Sequence, residues 1–242
     1  VADVDQVKRV ARERVWMLLE RERVVPPGVH GRIPSFSGAG EAAVRLAGLP
    51  EWRGARVVKA VPDTAQEPVR ARALREGKLL YMAVPKLAGE QPFLLLDPAM
   101  PAMSPEETAD RRTATKVGRP VDVDAMRAVD IVVCGSVAVN RRGVRLGKGA
   151  GYADIELALL QEAGLISPET AIVTTVHPLQ VVDDDLPEAE HDFGLDVIVT
   201  AEEVIRCPEP RRPHGLLWER LSAEKIAAIP ALAARRAAMR SD

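Results

Sequence analysis

The stretch from Asp130 to Gly164 restricts this chain most. Asp130-Ile-Val-Val-Cys-Gly-Ser-Val-Ala-Val139 is an apolar run that reads as a buried strand. Gly143-Val-Arg-Leu-Gly-Lys-Gly-Ala-Gly-Tyr-Ala-Asp154 follows, with Arg145 and Lys148 set between glycines. From Ile155, Leu157 and Leu160 recur at helical spacing up to a stop at Gly164. Strand, glycine loop and helix in that order suit an anion. Glycine lets the backbone approach the ligand closely. Successive N–H groups and the helix N-terminus then favour negative charge.

The spacing excludes the two commonest phosphate loops. Three residues separate Gly143 from Gly147, and Gly149 follows Lys148. A Walker A loop needs four residues there, and Ser or Thr after its lysine. A dinucleotide fingerprint has G-x-G-x-x-G near the first strand; here G-x-G-x-G lies deep in the chain. An NAD-linked dehydrogenase is thereby disfavoured.

A length of 242 residues suits one large α/β domain, with or without appendages. Lys+Arg 33 against Asp+Glu 35 gives a net charge of −2, which does not indicate a nucleic-acid partner. No apolar stretch approaches membrane-span length, and the beginning of the chain has no signal-peptide pattern. Cys134 and Cys207 lack metal-type spacing. The expectation is a reducing, cytoplasmic setting, a small-molecule substrate, and a monomer or homodimer.

In chain order, Val4 to Arg23 reads as an amphipathic helix on which Lys8 and Arg12 share a face. Ala55 to Val61, a helix over Val69 to Glu76, and Leu79 to Val84 form a parallel crossover unit. Pro98 to Thr115 suggests an excursion over the surface. Thr170 to Val176 and Leu195 to Thr200 read as further strands, with a helix expected from Ala201. Asp183, Asp184 and Asp185 read as an acidic turn rather than a metal site. The alternation predicts a three-layer, Rossmann-like α/β domain with a mainly parallel sheet. Its expected bounds are residues 1–206, with residues 207–242 a Pro/Arg-rich segment and helix packed on it or extending from it.

Gly-x-Arg-Leu-Gly-x-Gly-x-Gly-Tyr-x-Asp resembles the signature of the 5-formyltetrahydrofolate cyclo-ligase (methenyltetrahydrofolate synthetase) family. The Gly-Lys-Gly-x-Gly-Tyr-Ala-Asp form is most similar to its methenyltetrahydrofolate synthetase domain-containing branch. Lys8, Arg9 and Arg12 resemble the family's Lys-Arg-x-x-Arg on the first helix. Leu186-Pro187 with His191-Asp192, then Asp196-x-Ile198-Val-Thr200, resemble its later motif. The likeness covers roughly Lys8 to Ile205.

The resemblance implies a cyclo-ligase fold, ATP and Mg²⁺ as cofactors, and ring closure of 5-formyltetrahydrofolate to 5,10-methenyltetrahydrofolate. Lys8 and Arg12 are then expected on the ATP phosphates. Gly147, Gly149 and Gly151 present backbone N–H groups, and Tyr152 packs on the nucleotide or shapes the loop. Arg145 and Lys148 neutralise phosphate charge, and Asp154 holds Mg²⁺. Gln66 aligns with a folate-contacting glutamate of the family, with Glu67 next to it. Ala153 stands where the family usually has a second Tyr, and Ile155 where it often has Arg. His191 and Asp192 read first as a structural pair. Two alternatives stay open: an ATP-dependent enzyme of the same fold acting on another small molecule, and a non-catalytic nucleotide- or folate-binding protein.

Overall fold

Runs of β-branched residues that read as buried strands do pair with one another. The computed structural model describes residues 3–208, 210–212 and 215–239. In chain order come helices α1 (Val4–Arg21), α2 (Ala39–Ala47) and α3 (Pro50–Gly54), then strand β1 (Val57–Ala60). Helix α4 (Glu67–Arg75) leads to β2 (Leu79–Ala83) and β3 (Phe93–Leu96). Helices α5 (Pro105–Ala109) and α6 (Arg111–Val117) precede β4 (Arg119–Val121), β5 (Ile131–Cys134), β6 (Ala138–Asn140) and β7 (Arg145–Leu146). Helix α7 (Tyr152–Glu162) is followed by β8 (Ala171–Thr175), β9 (Val181–Val182), β10 (Val197–Val199) and β11 (Val204–Arg206). The last helices are α8 (Ala223–Ala228) and α9 (Pro230–Ala238).

The larger sheet has the order β11-β10-β8-β5-β1-β2-β3-β4. Its five central strands are parallel, and β3, β4 and β11 each run antiparallel to the strand before them in the chain. Side chains alternate between two cores, as the two-residue period of a strand requires. Val58, Ala60, Ile131 and Val133 pack with α2 and α4, through Leu46, Val69 and Leu74. Val57, Val132, Cys134 and Ile172 pack with α7, through Leu157, Leu159 and Leu160. The expected three layers, helix on mainly parallel sheet on helix, are present. A third core joins α1 to a small sheet of order β7-β6-β9, through Val15, Trp16, Leu19, Val137 and Leu146.

Two readings change. The apolar run of 130–139 is two strands in different sheets, parted at Gly135 and Ser136. Propensity along the run does not register the change of partner. No helix starts at Ala201. Instead the Thr200 hydroxyl accepts the N–H groups of Glu202 and Glu203, and the chain turns back into β11. The stretch of 98–115 does run over the surface, mostly exposed, while its short helices α5 and α6 bury Ala109 and Ala114 completely. Farther on, Ile229 and Leu232 reach the α7-side core, so α9 is seated on the main body. Among the described residues no helix is long and apolar enough to cross a membrane.

Candidate active site

The chain turns from β1 to β2 on one side and later continues through β5 to β8 on the other. In open α/β sheets such a switch leaves a crevice beyond the carboxyl ends of the strands. Here that crevice is a cleft of about 410 Å³. Its floor includes Pro62 and Asp63 after β1, Pro85 and Lys86 after β2, and Gly135 after β5. The glycine loop and the α1 side chains Lys8 and Arg12 line it from above.

The loop is shaped by close approach. Gly151 caps α7 with φ of 70°, in the left-handed region that glycine tolerates. A Cβ on Gly147 would sit 2.8 Å from a guanidinium nitrogen of Arg145. Arg145 has little room to yield. It is buried, its Nε donates to the carbonyl of Gly135 at 3.1 Å, and its guanidinium stacks on Phe193 at 4.6 Å. The Arg12 Nε donates to the Gly147 carbonyl at 2.6 Å. Burial pulls Arg12 below its ordinary pKa, and Asp192 and Asp5 oppose that pull.

Of the residues singled out from sequence, Lys8, Arg12, Arg145, Gly147, Lys148, Gly149, Gly151, Tyr152 and Asp154 all come to this one cleft. They are not equally free. Lys8 is buried and ion-paired with Asp192, which also accepts the N–H of Ala189. A buried pair of this kind is costly to break. Lys148 lies 3.3 Å from Asp63 with 41% of its side chain exposed. Pairs that open to water are worth little, so Lys148 can turn to a phosphate at small cost. The Tyr152 ring carries the Lys225 ammonium 3.7 Å from its centre. Arg9 is exposed on α1 and does not line the cleft.

Asp154 sits in the first turn of α7. One of its oxygens, Oδ1, is buried without a hydrogen-bond partner, and Arg145 is 3.8 Å away. Among the described residues no group of three or more His, Cys, Asp or Glu could hold a metal by itself. Mg²⁺ commonly uses one or two carboxylates together with substrate phosphates and water. A carboxylate oxygen without a hydrogen-bond partner, beside the cationic glycine loop, fits that donor set.

Gln66 and Glu67 are not brought to the cleft lining. Gln66 is fully buried, and its amide donates to the backbone and hydroxyl oxygens of Thr175, each at 3.2 Å. The turn Thr64–Gln66 aims it at β8, and sequence alignment alone gives no sign of that rotation. Gln66→Ala is therefore expected to cost about 1–3 kcal/mol of stability. Ligand affinity in the cleft should stay within about twofold of wild type, a small free-energy change. A substrate-specific loss at unchanged melting temperature would return Gln66 to the site.

Other site residues carry no local signal. Asp63 pairs with Lys148. Lys86 lines the cleft at φ of 60°, unusual for a residue with a side chain. Arg70 is fully buried and donates to the carbonyls of Val61, Asp63 and Ala109, which shapes the β1 end of the crevice. Burial lowers its pKa to about 10. Beneath the loop, Lys59 of β1 and Glu156 of α7 form an ion pair buried on both sides. Neither cysteine is an activated nucleophile: burial raises Cys134, and burial with Asp196 raises Cys207 to about 11.

Fold and cleft together define an open α/β protein with a cationic glycine-loop site at its switch point. The sequence model of the 5-formyltetrahydrofolate cyclo-ligase family matches residues 4–201, and the chain belongs to that family. It is 38% identical over 237 residues to the methenyltetrahydrofolate synthase domain-containing protein of Mus musculus, covering 93% of this chain and 62% of the relative. The Homo sapiens protein of that name is 37% identical over 242 residues, covering 95% and 61%. The chain thus spans about six tenths of the length of these curated relatives. The NMR structure of Aquifex aeolicus 5,10-methenyltetrahydrofolate synthetase shares the fold, with a TM-score of 0.53 at 21% identity over 90% of this chain and 99% of that one.

Proposed function

We propose that the protein is an ATP- and Mg²⁺-dependent enzyme that closes 5-formyltetrahydrofolate to 5,10-methenyltetrahydrofolate. The observation that carries this is the convergence of Arg12, Arg145 and Lys148 on the glycine loop, beside a buried Asp154 oxygen that has no hydrogen-bond partner and has Arg145 3.8 Å away. Family membership supports the choice of substrate. The formyl oxygen takes the γ-phosphoryl group of ATP, and ADP leaves. N10 then attacks the activated carbon, the carbon–oxygen bond breaks, and phosphate departs.

No enzyme nucleophile is needed, since phosphoryl transfer rests on positioning and charge neutralisation. Arg145, rigidly held, serves as a fixed cation. Lys148 leaves Asp63 for phosphate. Arg12 reaches the loop from α1, and Lys8 keeps α1 in place through Asp192. Asp154, with the substrate phosphates, holds Mg²⁺, which supplies charge neutralisation and orientation of the phosphates.

Purified protein with ATP, Mg²⁺ and 5-formyltetrahydrofolate is expected to form methenyltetrahydrofolate, followed by its absorbance. Arg12→Ala and Lys148→Ala should each weaken ATP binding about tenfold or more, the scale of one charge-assisted phosphate contact. Unchanged affinity in both variants would remove ATP from this cleft.

A second reading rests on Ala153. It lines the cleft where the family usually has Tyr, so one aromatic contact to a folate ring is missing. Under that reading ATP binds well, and another small molecule takes the phosphoryl group. Wild-type turnover of 5-formyltetrahydrofolate near background, with a gain in Ala153→Tyr, separates the two.

A further inference from the structure

Beside the cleft lies a second pocket of about 280 Å³. Ile155 and Ala158 of α7 form one wall, and Leu216, Leu217 and Leu221 form the other. It shares Gly151, Asp154 and His191 with the cleft, so the two spaces adjoin at the start of α7. The second wall belongs to chain beyond residue 201, where the family match ends. Lys225 ties that wall to the glycine loop. Its ammonium donates to the carbonyl of Ala150 at 2.6 Å and lies over the Tyr152 ring.

We infer that this pocket holds the purine ring of the nucleotide, so that the C-terminal segment completes the nucleotide site. The inference rests on the ATP reading above. Apolar walls with a few polar groups at the rim suit a flat heterocycle, whose faces are apolar and whose edge is polar. His191, Arg220 and Ser222 are those rim groups. The volume falls just below the range of whole small-molecule sites, roughly 300–1,000 Å³, and suits one ring system rather than a whole nucleotide. Position selects the ring. With phosphates on Gly147 to Gly151, a base joined through ribose reaches past Gly151 into this pocket. The crevice at Pro62 and Pro85 is left for the second substrate.

The test uses the full chain and titration calorimetry with ATP·Mg²⁺ and with inorganic tripolyphosphate·Mg²⁺. Wild type should bind ATP at least about tenfold more tightly than tripolyphosphate, because only ATP carries the ring. Leu217 is partly exposed and lies outside any helix. Leu217→Asp is expected to weaken ATP about tenfold and to leave tripolyphosphate within about twofold. If that variant does not fold, Leu217→Ala should weaken ATP alone by about threefold. Equal losses for both ligands, or no loss of ATP affinity in a folded variant, overturn the inference. So does a loss confined to 5-formyltetrahydrofolate binding, which assigns the pocket to the folate ring. Wild type that binds ATP and tripolyphosphate equally rejects the purine pocket alone. Wild type that binds neither rejects the ATP reading itself.

Discussion

Replacing Asp154 by Asn is expected to lower turnover by about a hundredfold or more, because the carboxylate proposed for Mg²⁺ loses its charge while keeping its shape. The informative readout is ATP affinity measured with and without the metal. With Mg²⁺ present, the variant should bind ATP more weakly and need more Mg²⁺ for half-maximal rate. With the metal chelated, it should bind ATP as well as wild type or better. A carboxylate beside bare phosphates repels them, and Asn does not. A structural role predicts the opposite. Arg145 is 3.8 Å from Asp154, and if Asp154 served only to hold it, chelated ATP binding would fall too. That outcome would withdraw the metal assignment and leave the rest of the cleft intact.

The second large effect concerns stability. Lys59→Met should destabilise the protein by about 3–5 kcal/mol, since it leaves Glu156 buried with no opposite charge. Both side chains are almost wholly excluded from water, at 0% and 7% exposure. Lys59→Met combined with Glu156→Leu should recover most of that loss, because a packed apolar pair of similar volume often matches a buried ion pair. Urea unfolding measures this: the midpoint should shift at constant slope, fall in the single variant and return in the double. Independent, additive losses would mean the two residues are not coupled. The pair joins β1 to the second turn of α7, so its loss should also loosen the loop that α7 begins.

Much of the fold was legible along the chain. The β-branched runs at 57–60, 131–134, 171–175 and 197–199 became the parallel centre of the sheet. The helix read from Ile155 is present as α7 but begins earlier, at Tyr152, behind Gly151 in a left-handed cap that glycine tolerates. These features depend on backbone dihedrals and on short-range periodicity, which neighbouring residues carry. The C-terminal helix was less so. The single helix expected there is two, for α8 ends at Ala228 and Pro230 opens α9.

The glycine loop and its two cations thus stand out in the sequence, the family resemblance joins the basic pair on α1 to them, and the fold brings all of them to one cleft. The sequence does not tell which of those charges is free. Lys8 meets Asp192 across 184 residues, Lys148 meets Asp63 across 85, and Lys59 meets Glu156 across 97. Such partners are fixed by sheet order, strand register and the docking of α1 and α7, and no local pattern encodes them. Gln66 shows the same limit from the other side. Its position in the chain pointed to substrate, and the packing of its turn against β8 turned it inward to Thr175. Burial and long-range pairing, which are properties of the whole fold, decided where each charge is held.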